Sequence, residues 1–286
     1  MQNLFFGLLT GAVLAVATSG FALLRNTERF LHTAHGQFMA LGGLLGLTLA
    51  QQFGPWLGLP AAVLITAAIG VVCGKLLFDP IKAQGANVML FTSVGLAFLT
   101  YAVMLVVFGS DIKVFDVQLG SARQIGPFMI APGEIVLLLI AAAVTAGLWL
   151  LLSRSSVGRS IRAVSSNREL AQIRGVPTNQ ISSVVWALSS GLAAIAGIMM
   201  GILGSTSAEA GWTYILLVLA AAVLGGVSNI LGVIAAAMLL GVVMDLSSLV
   251  VDTAFRPVIA FALLIAVLVV RPQGLFSFAS RKEAVA

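Results

Sequence analysis

Charge is what this chain has least of. Of its 286 residues only 9 % are Asp, Glu, Lys or Arg, against 60 % hydrophobic. A water-soluble domain carries about 25 % charged residues, so a surface facing water throughout is excluded. Proline is absent from the expected span centres: Pro55, Pro60, Pro80, Pro127, Pro132, Pro257 and Pro272 fall at span ends or in loops, and Pro177 lies in a basic segment. A lone cysteine, Cys73, rules out an intramolecular disulfide and reads as a small packing residue. No Gly-x-x-x-x-Gly-Lys-Ser/Thr loop is present, so the chain has no such phosphate cradle of its own. Acids are not paired in any apolar run and both histidines lie in one short stretch, which excludes an intramembrane nucleophile–base site and gives no metal or cofactor site. No basic n-region or cleavage site precedes Arg25, so the first apolar run is expected to be retained.

What is present is a series of long apolar runs, each close to the ~20 residues that cross a bilayer as a helix. They lack the alternation of a β-barrel strand. The expected class is an all-α, polytopic helical membrane protein with about eight or nine transmembrane helices, forming one domain over 1–286. Spans are placed at 4–24, 33–53, 60–78, 88–108, 131–152, 181–204, 213–228, 230–248 and 257–271. The stretch 213–248 reads as two spans or as a re-entrant pair, meeting at Gly225-Gly226-Val227-Ser228-Asn229. Glycines spaced by four (Gly7/Gly11, Gly42/Gly46, Gly70/Gly74, Gly197/Gly201) predict close helix packing.

Orientation follows from the basic residues. Segment 153–180 holds Arg154, Arg159, Arg162, Arg168 and Arg174 against the single acid Glu169, and is expected to be cytoplasmic. Counting spans from it places twelve of the fifteen Lys and Arg inside, leaving Lys113, Arg123 and Arg256 outside. The N-terminus is then out and the C-terminus in. The formal charge of +5 reflects such loops rather than a nucleic-acid partner.

Within 153–180, Asn167 is expected to cap a short helix that stops at Gly175, with Pro177 just beyond. Such a helix suits a groove on a partner; a basic loop resting on anionic lipid headgroups is the plainer reading of the arginines alone. The spacing Glu169-x-Ala171-x-x-x-Gly175 resembles the Glu-Ala-Ala-x-x-x-Gly motif that ABC importer permeases present to their ATPases. The run from Gly158 to Gly201, Ala34-His35-Gly36, Thr92-Ser93-Val94-Gly95-Leu96, Val223-Leu224-Gly225-Gly226 and Arg271-Pro272-Gln273-Gly274-Leu275 resemble, in order, the branched-chain amino-acid permease family of the LivH/LivM type, closer to the shorter partner. His32-Thr33 replaces the family's Asn-Phe, and the proline usual after the double glycine is absent.

That resemblance implies a permease subunit of an ATP-driven importer in a bacterial inner membrane, with a second homologous permease, two cytoplasmic ATP-binding subunits and an extracytoplasmic substrate-binding protein as partners, besides membrane lipid. The cargo implied is a branched-chain or related small amino acid, with urea or short amides as the alternative. A channel or secondary carrier independent of ATP is the weaker competitor, because few acids or histidines sit at mid-membrane. The candidate ATPase-coupling residues are Gly158, Arg159, Arg162, Asn167, Glu169, Ala171 and Gly175. The pathway-lining candidates are His35, Gly36, Thr92, Ser93, Gly95, Gly225 and Gly226, although His35 equally suits a hydrogen bond that locks the bundle, and Thr92 and Ser93 equally suit helix-to-helix bonds. Asp245 is expected near the outer interface, within reach of water.

Overall fold

The computed structural model describes residues 2–116, 120–125, 128–226, 229–271 and 273–276. Pro127, Val227, Ser228, Pro272, Arg281 and Lys282 lie outside the described residues. Each of the nine expected segments is a helix: α1 (Gln2–Glu28), α2 (His35–Phe53), α3 (Pro55–Cys73), α4 (Ala86–Phe108), α5 (Pro132–Arg154), α8 (Thr178–Leu203), α9 (Ala210–Gly225), α10 (Ile230–Ser247) and α11 (Arg256–Val270). Two short helices, α6 (Ser156–Ser166) and α7 (Arg168–Ile173), fill the basic segment. One small departure from an all-α fold is a hairpin, β1 (Arg123–Ile125) with β2 (Phe128–Ile130), in the loop before α5. Gln2 caps it by bonding both the carbonyl and the N–H of Met129.

Among the described residues, six helical stretches are long and apolar enough to cross a membrane: α1, α3 with its continuation to Gln84, α4, α5, α8 and α10. The α3 run passes through a π turn at Gly74–Phe78 and a 3-10 stretch at Asp79–Gln84 before α4 begins. It also begins at Pro55, so Pro60 lies inside the helix rather than at its start. There its missing N–H costs only the bond to Trp56, close to the end of the helix, where bonding is incomplete anyway.

The bundle is built round α1, which packs along α8, α10, α9 and α5, while α2 packs on α3, α8, α9 and α4. The glycine spacing accounts for this closeness. Gly7 and Gly11 lie against the backbone of α10 at Met238 and Val242, Gly42 against Ala194, and Gly70 and Gly74 against Ser190 and the Trp186 ring. Lipid tails give apolar helices no net drive to associate, so van der Waals contact of this kind has to hold them.

Two irregular connections run inside the bundle. His35 Nε2 lies 3.0 Å from the carbonyl of Ala17, so α2 starts beside the middle of α1, about three turns short of its end. Residues 29–34 climb back into the core to reach that point, with Phe30, His32 and Ala34 buried. On the far side of α8, Thr206 and Ala208 are buried in the connection to α9, and Thr206 exchanges both backbone hydrogen bonds with Lys113. The first turns of α2 and α9 meet where Gly36 abuts Gly211. Non-helical backbone at this depth is tolerated where protein satisfies it; Lys113 does so for Thr206, and the Ser93 hydroxyl accepts from the Ala34 N–H.

Asp245 departs from expectation. It is only 2 % exposed, and Arg256, the first residue of α11, donates to its Oδ1 at 2.6 Å. The ion pair closes α10 onto α11, which is why the carboxylate is not left to water. Arg256→Met should leave a buried, unpaired carboxylate and cost about 3–5 kcal/mol. The double variant with Asp245→Leu should recover most of that loss in a detergent melting experiment; equal melting of the single and double variants would refute the pairing.

Candidate functional site

The ends of the bundle differ in chemistry. Arg256 and the β hairpin are grouped with the start of α1, while Arg29, Lys82 and Arg168 gather at its end. At this second end, the basic segment folds through local chemistry. Ser155 caps α6 by accepting from the Gly158 N–H at 2.9 Å, and Asn167 caps α7 by accepting from Leu170 N–H at 2.9 Å. The stop of α7 is as expected from sequence. Gly175 has φ +81°, its N–H donates to Gln172 and the Val176 N–H donates to Ala171, each at 3.0 Å. That pair of bonds is a Schellman cap, which needs a left-handed residue at Gly175.

The two helices face the bundle with Gly158, Ile161, Val164 and Ala171, all buried. Gly158 touches the last carbonyls of α5 so closely that a side chain has no room. The outer face carries Arg159, Glu169 and Arg174 together with Leu170, 51 % exposed, and Ile173, 81 % exposed. Two large apolar side chains left in the open on a six-residue helix, among charges, make a surface suited to a protein groove.

Behind α7 lies a group that sequence reasoning did not single out. Glu28, at the end of α1, is buried, and its carboxylate faces Lys82 Nζ at 2.9 Å and Arg168 NH1 at 3.7 Å, while the Ser182 hydroxyl donates to its other oxygen. Lys82 uses its other two donors on Asp79 at 2.6 Å and Ser182 at 2.9 Å. Arg29 donates to the carbonyls of Ser165 and Ser166 at the end of α6. The ends of α1 and α6, the start of α7, the 3-10 stretch and the first turn of α8 are thus tied at one point. Its sequence signal was an acid amid Arg25 and Arg29 in a chain almost without charge.

The pathway candidates are scattered. His35, Gly36 and Gly225 are packed inside this subunit against α1, α9 and α10 respectively. Gly226 has φ +79° and turns the chain from α9 towards α10; Gly274 packs on it and the Leu275 N–H donates to Leu224 at 2.8 Å. Two of the stretches singled out in the sequence, one at the double glycine and one after α11, therefore meet. Thr92 and Ser93 part company. Thr92 donates to its own helix at Val88, half-buried, while Ser93 is buried and accepts from Thr33 Oγ1 and the Ala34 N–H. Its one proton is then left for His32 Nδ1, 3.0 Å away. Ser93 thereby satisfies the irregular connection into α2. On the same helix Gly95 is exposed with open space above it, and Phe98 leans on Trp212 of α9 with ring centroids 4.9 Å apart.

Residues 3–268 match the family described as the permease component of the branched-chain amino acid transport system. Among similar proteins, the high-affinity branched-chain amino acid transport system permease protein BraD of Pseudomonas aeruginosa is 26 % identical, over 96 % of this chain and 95 % of that one. The corresponding LivH of Salmonella typhimurium is 25 % identical, over 96 % and 94 %. The autoinducer 2 import system permease protein LsrD of Salmonella paratyphi B is 26 % identical over 66 % of this chain and 58 % of its own. Among solved structures, PsaBC from Streptococcus pneumoniae in complex with Fab shares the fold, with a TM-score of 0.53 and 13 % identity over 96 % of this chain and 93 % of that one.

Proposed function

The chain belongs to the branched-chain amino acid transport permease family, a multi-pass membrane permease and not an enzyme, and from that premise we propose that it forms half of the translocation pathway of an importer for branched-chain or related small amino acids. The relatives over nearly the whole chain, named for branched-chain amino acid transport, favour that cargo. In this reading the subunit is one transmembrane domain with its N-terminus out and C-terminus in, pairs with a second permease, receives substrate from an external binding protein and is driven by two cytoplasmic ATP-binding subunits.

The observation that carries the reading is α7. Its capped start, its left-handed stop and its exposed Leu170 and Ile173 present a rigid surface beside Glu169. Segment 153–180 is then the coupling loop. Movement of a docked ATPase passes through Ala171 and Arg168 to the Glu28 group, and so to α1, which packs on α5, α8, α9 and α10. The exposed side of α4 round Thr92 and Gly95, with Trp212 of α9 beside it, is the wall this subunit gives to the pathway. Apolar surface with hydroxyls and no fixed charge suits a solute whose side chain is apolar and whose ends stay hydrated.

The test is uptake and ATP hydrolysis measured together in reconstituted complexes carrying Glu169→Ala or Gly175→Ala. A side chain at Gly175 strains α7's stop by about 1 kcal/mol. Uptake per ATP should fall about tenfold in each, within the usual range of coupling energies, while the chain still inserts. Wild-type uptake in both variants would sink the docking role of α7.

A further inference from the structure

A crevice that the transport reading does not use runs between α1, α5 and α10. Its wide end, about 700 Å³, lies where these helices meet α6. The apolar walls there are Leu23, Trp149, Leu152 and Leu231, and Asn26, Ser165 and Asn229 stand at the rim with Arg162. A second, narrower cavity of about 160 Å³ lies farther along the same three helices, between Ala12, Ala15, Ala141, Ala142, Thr145, Ile234 and Met238. From Ala12 to Asn26 the distance along α1 is about 21 Å, close to the length of an extended acyl chain.

Arg162 is the odd member. It is the charged residue in the lining of the crevice, and like Arg154, Arg159 and Arg174 of the same segment it has no ion pair or hydrogen bond among the described residues, although it stands between hydroxyl and amide groups at the mouth of an apolar groove. A solute route would hardly keep an unpaired cation at its entrance beside Trp149 and Leu231. The opposite, hydroxyl-bearing side of the bundle, on α4, lies away from this crevice, since α4 packs on α2 and α5 on α1. An apolar slot about one acyl chain long, with a single free guanidinium and several hydrogen-bonding groups at its polar end, has the shape and charge of an amphiphile.

We propose that this crevice binds one anionic phospholipid, its headgroup phosphate on Arg162 and an acyl chain laid between α1, α5 and α10. Arg162 then serves the membrane rather than the ATPase surface. The guanidinium matches a phosphate in geometry as well as charge, and anionic lipid is concentrated on the side where basic loops lie. A bound chain would fill the gap that α5 leaves, since α5 touches the bundle chiefly through α1. The proposal is independent of the cargo and of α7.

Native mass spectrometry of the complex, purified in mild detergent and titrated with phosphatidylglycerol or phosphatidylcholine, tests it. The wild type should retain one phosphatidylglycerol per copy of this chain and bind phosphatidylcholine weakly. Arg162→Gln should weaken phosphatidylglycerol binding about tenfold, the loss of one charge-assisted contact, and Arg162→Lys should keep most of it. Ala142 also lines the narrow cavity, and Ala142→Trp, which leaves Arg162 untouched but narrows that cavity, should weaken binding as well. Excess inorganic phosphate should not displace the lipid. Unchanged binding in Arg162→Gln, unchanged binding in Ala142→Trp, equal binding of phosphatidylcholine, or displacement by phosphate alone would each overturn the proposal, the last by showing a free-anion site.

Discussion

Glu28→Ala should be the most damaging exchange at the coupling end of the bundle, lowering stability by about 3 kcal/mol and abolishing uptake. The estimate sits at the low end for breaking a buried ion pair, because Lys82 is partly exposed and keeps Asp79. The functional loss should exceed what stability explains, since the same carboxylate holds Arg168 at the start of α7 and the Ser182 hydroxyl at the start of α8. Glu28→Gln separates the two effects. It keeps the volume and a hydrogen bond to Ser182 but removes the charge, so the complex should assemble and hydrolyse ATP while uptake per ATP falls. Combining Glu28→Lys with Lys82→Glu should restore part of the stability. Melting of Glu28→Ala indistinguishable from wild type would show that the group has no structural weight.

Gly197→Val should leave almost no folded permease in the membrane. A side chain at Gly197 of α8 would run into the backbone of α2 at Met39, carbonyl and Cα alike, where the helices cross. Overpacking against a movable side chain costs about 1–3 kcal/mol; against backbone the helices themselves must separate, and a protein stable by about 5–15 kcal/mol has little to spare. Met39→Ala in the same chain should not rescue it, because the obstacle is not the Met39 side chain. Gly191 is the control on the same helix. Its added methyl would meet only the Ala67 and Val63 side chains at 3.7 Å, ordinary contact, so Gly191→Ala should be neutral. Membrane levels and gel-filtration profiles of the three variants decide it; a normal Gly197→Val profile would contradict the close crossing.

The sequence was most legible where the controlling chemistry is local. Asn167, Gly175 and Pro177 announce α7 because capping bonds reach only a few residues along the chain, and the long apolar runs announce their helices for a similar reason. The glycine spacing named the packing faces, although not the partners: only the fold brings Gly42 to Ala194 or Gly7 to Val242. What stayed hidden depends on distant residues. Ser93 looked like half of a hydroxyl pair, yet on a helix neighbouring residues point in different directions, and its bonds go to His32, Thr33 and Ala34. Asp245 looked solvated because it lies within a turn of the outer end of its run; Arg256 pairs with it there from the next helix. The burial of Phe30, His32, Ala34 and Thr206 was not announced by the apolar runs, since hydropathy does not tell a connection that dips into protein from one that stays at the surface.

The most direct measurement is co-purification of this chain from its native membrane in mild detergent, with mass spectrometry of everything that accompanies it. The account predicts a second permease and two ATP-binding subunits, with α7 at their contact, and the ligand of the accompanying binding protein then names the cargo. Recovery of the chain alone or only with copies of itself, folded and competent in transport, would contradict it.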